Sequence, residues 1–167
     1  MLEYPLLLVF PLAMAVGGLM DLLTMTIPNR VSLALVAGFV PAALLTGMPW
    51  TVFASHVGAG AMMLVIGILM FSRGWVGGGD AKLLAAAALW LGFESLFAYV
   101  VLVSLLGGAL ATAILTYRSL VPPLWIVGRD WAMRLHDRKA GMPYGLALAA
   151  AALWIYPSTA WFRLVAG

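Results

Sequence analysis

One apolar run limits the fold of this chain more than any other feature. Residues 81–117 are almost entirely hydrophobic and are interrupted only at Gly92-Phe93-Glu94-Ser95. A helix of about 20 apolar residues spans the hydrocarbon core of a bilayer, so this run is too long for one comfortable crossing. The rest of the chain agrees, because 65% of its 167 residues are hydrophobic and only 9% are charged. The sequence therefore predicts an all-α, polytopic integral membrane protein.

The apolar pattern predicts six membrane-spanning segments. They cover residues 5–23, 31–45, 52–71, 81–91, 96–117 and 143–165. The long run is divided because a single crossing would place the basic connector 118–139 opposite Arg30, Arg73 and Lys82, against the positive-inside tendency. Six crossings put both termini outside and eight of the nine basic residues inside. We interpret the net charge of +3 as a topology signal, and we expect no nucleic-acid partner.

The connector at residues 118–139 is the most polar part of the chain. Its apolar side chains recur at helical spacing: Leu124, Val127, Trp131 and Leu135. This spacing predicts an amphipathic helix on the cytoplasmic leaflet. We find no soluble domain, linker or internal repeat in the sequence, and we expect residues 1–167 to form one integral-membrane domain.

Two aspartates lie where apolar segments begin or end. Asp21 falls in the last turn of the first segment, and Asp80 follows three glycines and opens the fourth. An aspartate at the bilayer centre costs roughly 2.5 to 3.5 kcal/mol, so acidic residues near membrane depth are functional candidates. Simpler roles are open: Asp21 could reach interfacial water, and Asp80 could cap a helix. The residues expected to shape a site around them, or to bind substrate, are Pro28, Asn29, Gly77, Gly78, Gly79 and Lys82.

The chemistry open to such a pair follows from the repulsion between carboxylates. Two carboxylates that converge cannot both ionise cheaply, so one keeps a proton. The ionised group can then take a proton from a water molecule that attacks a peptide carbonyl, while the protonated group polarises that carbonyl. This reaction needs no cofactor or metal. The chain has no cysteine, which excludes thiolate chemistry, and its two histidines are too few for a histidine metal cage.

Three sequence motifs resemble those of one family. They are Asp21 followed by Ile27-Pro28-Asn29, then Gly77-Gly78-Gly79-Asp80-Ala81-Lys82-Leu83-Leu84, and finally Met142-Pro143-Tyr144-Gly145. In order and spacing they are similar to the motifs of the type IV prepilin peptidases, which are membrane aspartyl proteases with a GxGD motif. The resemblance implies that Asp21 and Asp80 are catalytic. It also implies that the protein removes short basic leaders from prepilins or pseudopilins at the cytoplasmic face of the bacterial inner membrane, in contact with membrane lipid and pilus assembly machinery.

The chain departs from this family pattern in two ways. Bifunctional members carry an N-terminal cytoplasmic insertion with paired cysteines and also methylate the new pilin terminus. This chain has neither the insertion nor any cysteine. We therefore expect peptidase activity without methyltransferase activity, as in the short branch that serves tight-adherence (Flp) pili, which the chain resembles in size. The second departure is at residues 22–26, which contain no basic side chain where many members have them.

Two other classes of function remain open from the sequence. In a small transporter or ion conduit, Asp21 and Asp80 would bind a proton or a cation within the membrane. In an inactive structural subunit of an assembly, neither carboxylate would be needed. A transporter would move solute without cutting a peptide, so cleavage separates the hypotheses.

Overall fold

The computed structural model describes residues 7–122 and 126–161, and these residues form an all-helical chain without strands. The six α-helices are α1 (Val9–Thr24), α2 (Asn29–Leu45), α3 (Trp50–Ser72), α4 (Gly78–Ser119), α5 (Asp130–His136) and α6 (Tyr144–Ile155), and a 3-10 turn follows at Tyr156–Ser158. The predicted fold class is confirmed. The predicted start of the first segment at residue 5, and the end of the last at residue 165, lie outside the described residues.

The helices have the length and composition of a membrane protein. Among the described residues, α3 and α4 are long and apolar enough to span a bilayer, and α1, α2 and the segment Tyr144–Ser158 are shorter apolar helices. Many large apolar side chains of α1, α2 and α3 are exposed, which a bilayer tolerates and water does not. The chain is therefore an all-helical membrane protein.

Helix α4 contains the predicted division between the fourth and fifth segments. Gly92 alone leaves the helical conformation there, with φ 67° and ψ 173°. Asp80 before it and Ser104 after it line one groove of about 760 Å³, although a straight helix would separate them by about 36 Å. The chain thus folds back on itself at Gly92. The turn predicted over residues 92–95 is reduced to a single residue.

Side chains from two other parts of the fold stabilise this break. A helix that stops leaves its last carbonyls without intrahelical partners. The Nδ1 of His56 donates a hydrogen bond to the carbonyl of Leu89 at 2.9 Å, and the indole N–H of Trp161 donates to the carbonyl of Trp90 at 2.6 Å. His56 and Trp161 are both buried. The break is therefore a fixed part of the core.

The connector is less helical than the sequence predicts. Its only described helix is the seven-residue α5, and it is preceded by Gly128 with φ 100°. The face that α5 buries is formed by Ala132 and Leu135, whereas Val127 is exposed outside the helix. The predicted continuous stripe is wrong at Val127, because the glycine ends any helical register before α5. Leu124 lies outside the described residues.

Arginine side chains hold the connector against the helices. The guanidinium of Arg118 donates hydrogen bonds to the carbonyls of Leu135, Ala140 and Gly141 at 2.8 to 2.9 Å. Nη1 of Arg134 donates to the carbonyl of Leu23 in the last turn of α1, also at 2.9 Å. The connector therefore packs beside the end of α1 that carries Asp21.

Candidate active site

Asp21 lies in the last turn of α1 with its side chain inside the protein. Only 5% of the residue is exposed, and its Oδ2 accepts a hydrogen bond from the backbone N–H of Gly145 at 2.7 Å. The helix closes just beyond it, where the N–H of Met25, a left-handed residue with φ 56°, donates to the carbonyl of Asp21 at 2.8 Å. The carboxylate is thus bound by the amide of another helix and does not extend from an exposed helix end.

Asp80 is the third residue of α4, and the helix is capped by Gly77. Its Oδ1 is buried and has no hydrogen-bond partner in the described part of the chain. The carboxylate faces the backbone N–H groups of Gly77 and Gly145, and it lies close enough to Asp21 for the two charges to interact. Asp80 is therefore not the N-cap residue, and one of its oxygens is buried without a hydrogen-bond partner among the described residues.

Gly145 and Ile27 bring the two aspartates together from segments 59 residues apart. A Cβ on Gly145 would lie 2.8 Å from Oδ2 of Asp21 and 2.7 Å from Cδ1 of Ile27. A Cβ on Gly79 would lie 3.1 Å from Cβ of Ile27. The isoleucine side chain thus fills the space between the first turns of α4 and α6, and only glycines allow this approach.

The glycine run before Asp80 serves close packing more than unusual backbone angles. Gly77 has φ −67°, and none of Gly77, Gly78 and Gly79 has a positive φ. A Cβ on Gly77 would meet Oδ2 of Asp80 at 2.9 Å, and one on Gly78 would meet the ring of Phe71 at 3.3 Å. The sharp change of direction occurs earlier, at Gly74, where φ is 71°.

The remaining predicted residues connect the two motifs at the protein surface. Pro28 caps the N-terminus of α2, and its carbonyl accepts a hydrogen bond from the N–H of Val31. Nζ of the exposed Lys82 donates to Oδ1 of Asn29 at 2.9 Å, across 53 residues of sequence. Asn29 and Lys82 therefore hold the start of α2 beside the start of α4.

An apolar groove of about 760 Å³ begins at Asp80. Its walls come from α3, the loop after it, both parts of α4 and α6: Met62, Met63, Ile66, Met70, Val76, Asp80, Leu84, Phe93, Leu96, Phe97, Val100, Val103, Ser104, Gly108, Tyr144 and Leu148. The pair thus lies at one end of a surface that is otherwise almost entirely apolar.

Two helix N-termini contribute to the electrostatics of the site. Asp80 is in the first turn of α4, and Gly145 is the second residue of α6. The N-terminus of a helix carries a partial positive charge and free N–H groups, both of which favour a nearby carboxylate. Across residues 7–122 and 126–161, no group of three side chains from histidine, aspartate or glutamate is placed to hold a metal ion. The arrangement can position water and a peptide carbonyl between two carboxylates.

Sequence reasoning missed Gly145 and Ile27 as parts of this site. Both lie inside the quoted motifs, Ile27 beside Pro28 and Gly145 at the end of residues 142–145. The signal that could have found Gly145 is a glycine near the start of an apolar helix, where backbone N–H groups are free to bind an anion.

Comparison with known proteins identifies the family. The sequence model of the type IV leader peptidase family matches residues 8–112, more than half of the chain. The matched region contains Asp21 and Asp80 and ends before Gly145. No curated protein and no solved structure gave a significant match. The chain belongs to the type IV leader peptidase family.

Proposed function

We propose that this protein is a membrane aspartic endopeptidase with Asp21 and Asp80 as its catalytic pair. Its substrates are prepilins or pseudopilins, and it removes their short basic leader. One observation carries the proposal: two carboxylates from distant segments meet beside the amide of Gly145, at the end of an apolar groove. Membership of a leader peptidase family supports the class of reaction and substrate.

The pair would act through a shared water molecule. One carboxylate, ionised, takes a proton from the water as its oxygen attacks the peptide carbonyl. The other, protonated, donates a hydrogen bond to the carbonyl oxygen and later helps the amine to leave. Oδ1 of Asp80 is buried and has no partner among the described residues, so this oxygen can still form a hydrogen bond to the water or the substrate carbonyl once substrate is bound. The hydrogen bond from Gly145 fixes Asp21 during these steps.

The orientation we propose places this site at the cytoplasmic face of the inner membrane. The end of α1 and the starts of α4 and α6 meet at the pair, and basic residues gather at the same end of the fold. Lys82 is two residues from Asp80, and Arg134 binds the carbonyl of Leu23, two residues from Asp21. Six crossings of one domain, with both termini outside, agree with the positive-inside tendency. A basic leader would then remain in the cytoplasm while the apolar segment of the substrate stays in the bilayer.

The proposal is tested by reconstituting the purified protein in liposomes with prepilin-like substrates. We expect one cut between leader and apolar segment, seen as a mobility shift on a gel and located by mass spectrometry of the product. A matched substrate with glutamines in place of its leader lysines should be cut more slowly. Solute uptake without cleavage of any substrate in a panel of prepilins and pseudopilins would favour a transporter.

The same mass measurement tests the absence of methyl transfer. The chain contains no cysteine, whereas the bifunctional members carry paired cysteines in an insertion. With S-adenosylmethionine present, we expect the new amino terminus of the product to remain unmodified. A product heavier by one methyl group would contradict this expectation.

We expect Gly145→Ala to reduce kcat for leader cleavage by about 10- to 100-fold. The added Cβ would lie 2.8 Å from Oδ2 of Asp21 and would displace the carboxylate, and small displacements of catalytic groups can cost about 100-fold in rate. Gly141→Ala is the matched control, because a Cβ there has no neighbour within 4 Å. Wild-type kcat in the Gly145→Ala variant would show that the site tolerates a methyl group beside Asp21 and does not require this close approach of α6.

A further inference from the structure

The apolar groove has a polar end and an apolar end. The polar end contains Asp80. Tyr144 lies beside the aspartate pair because the next residue, Gly145, donates a hydrogen bond to Asp21. Gly108 lies there too, because a Cβ on its neighbour Gly107 would meet the Tyr144 ring at 2.8 Å. The opposite end is formed by Phe93 near the break in α4 and by Phe97. From Asp80 to Phe93 the first part of α4 rises by about 20 Å. The groove is therefore long enough to contact about 13 residues of a helical ligand.

The walls of the groove suit a helix that lies in a bilayer. In lipid there is no hydrophobic driving force between helices, so association depends on close packing and is favoured by small residues. Ser104 and Gly108 are one helical turn apart on the groove wall, and a Cβ on Gly108 has no neighbour within 4 Å. Met62, Met63 and Met70 on the facing helix can adapt to different partner side chains. Phe97, at the far end, is 81% exposed and has surface left to cover.

We propose that this groove binds, as a helix, the apolar segment that follows the scissile bond of the substrate. The first residues of that segment lie against Ser104 and Gly108, and residues about three turns further along lie against Phe93 and Phe97. The segment must be helical because a peptide in hydrocarbon has to satisfy its backbone groups internally. This inference rests on the proposed function and adds the position and the direction in which the substrate is held.

The buried oxygen of Asp80 favours a peptide over a lipid as the occupant. Oδ1 has no partner in the described part of the chain, and an unpaired buried polar atom costs about 1 to 3 kcal/mol. An acyl chain in the groove would leave this oxygen without a partner. A polypeptide entering from the cytoplasmic end brings a peptide group, or the water that attacks it, to that oxygen.

Cross-linking tests the position and direction of the bound segment without relying on activity. The chain contains no cysteine, so single-cysteine variants can be read without background. The experiment uses an Asp21→Asn background, which should leave the substrate uncut. Ser104→Cys or Phe97→Cys is introduced into this background. Each variant is mixed with a substrate that carries one cysteine, either directly after the scissile bond or about 11 residues further on. Leu33→Cys is the control, because Leu33 is 65% exposed on a separate apolar groove of about 520 Å³.

We expect a short bismaleimide to join Ser104→Cys to the near substrate position and Phe97→Cys to the far one. The Leu33→Cys control should react with neither. Equal cross-linking at Leu33, no preference between the two substrate positions, or no substrate cross-link at either groove cysteine would overturn the proposal.

Kinetics give a second test. Gly108→Phe places a large side chain in the groove at a position with open space, so the variant should fold. We expect KM for a prepilin-like substrate to rise by about tenfold or more, with a smaller change in kcat. Leu105→Phe, on the exposed side of the same helix, should have the wild-type KM. An unchanged KM in Gly108→Phe would remove the groove from substrate binding, whereas failure of the wild type to cleave any substrate would contradict the proposed function itself.

Discussion

Asp80→Asn is expected to lower kcat for leader cleavage by about 1,000-fold or more, and Asp21→Asn is expected to do the same. An asparagine keeps the shape of the side chain, but it can neither take a proton from water nor give one to the substrate. In the proposed mechanism the two carboxylates share one proton and act as a unit, so the double variant should be no slower than either single variant. The measurement is the rate of leader release from a prepilin-like substrate in liposomes.

Matched controls separate chemistry from folding in this experiment. Asp130→Asn removes an exposed carboxylate from the first turn of α5 and should leave the rate unchanged. All variants should reach the membrane in equal amounts and melt near the wild-type temperature. If Asp21→Asn or Asp80→Asn retains more than about a tenth of the wild-type rate, the pair is not the catalytic centre.

The second large effect is expected on stability, at the break in α4. Gly92→Ala should lower the free energy of unfolding by about 3 kcal/mol or more. With φ 67° and ψ 173°, Gly92 occupies a region that is almost exclusive to glycine. The new Cβ would also lie 2.9 Å from the His56 ring, which is held between Phe39 and Trp161 and bonded to Leu89. That ring has no free space into which it can move.

Variants of two other glycines separate the backbone strain from the steric contact with the His56 ring. Gly74 also has a positive φ, 71°, but open space around it, so Gly74→Ala should show the backbone strain alone, about 1 to 2 kcal/mol. Gly108 is helical with open space, and Gly108→Ala should be neutral or slightly stabilising. Thermal unfolding in detergent gives the comparison. If Gly92→Ala melts no lower than Gly74→Ala, contact with the His56 ring does not fix the break.

The helices could be predicted from the sequence because apolar runs and helix-ending residues are local signals. The division of residues 81–117 followed from the charge distribution, and the structure places a break inside the predicted turn. The predicted helix over the connector was too long, because the spacing of Leu124, Val127 and Trp131 took no account of Gly128 between them. A glycine with φ 100° ends a helical register whatever the apolar pattern around it.

The two acids of the candidate site were predicted from the sequence, but the contacts around them could not be. Asp21 and Asp80 stand out because carboxylates are costly at membrane depth. The role of Gly145 depends on α6 packing beside α1. A glycine near the start of an apolar helix signals a free N–H group, but it does not say which carboxylate that group will bind. The same holds for His56, whose partner is a carbonyl that becomes free only because Gly92 interrupts α4. Long-range contacts with backbone groups are therefore what a single sequence reveals least.

On the proposed mechanism, the hydrogen bond from Gly145 to Asp21 also ties activity to the order in which the chain is synthesised. The donor is made 124 residues after the acceptor, so both aspartates and most of the residues that line the groove are synthesised before α6. Until α6 has been synthesised, Asp21 lacks the Gly145 amide, and the emerging chain carries both acids without the assembled site. We therefore expect no cleavage of neighbouring apolar segments by nascent chains that have not yet reached α6.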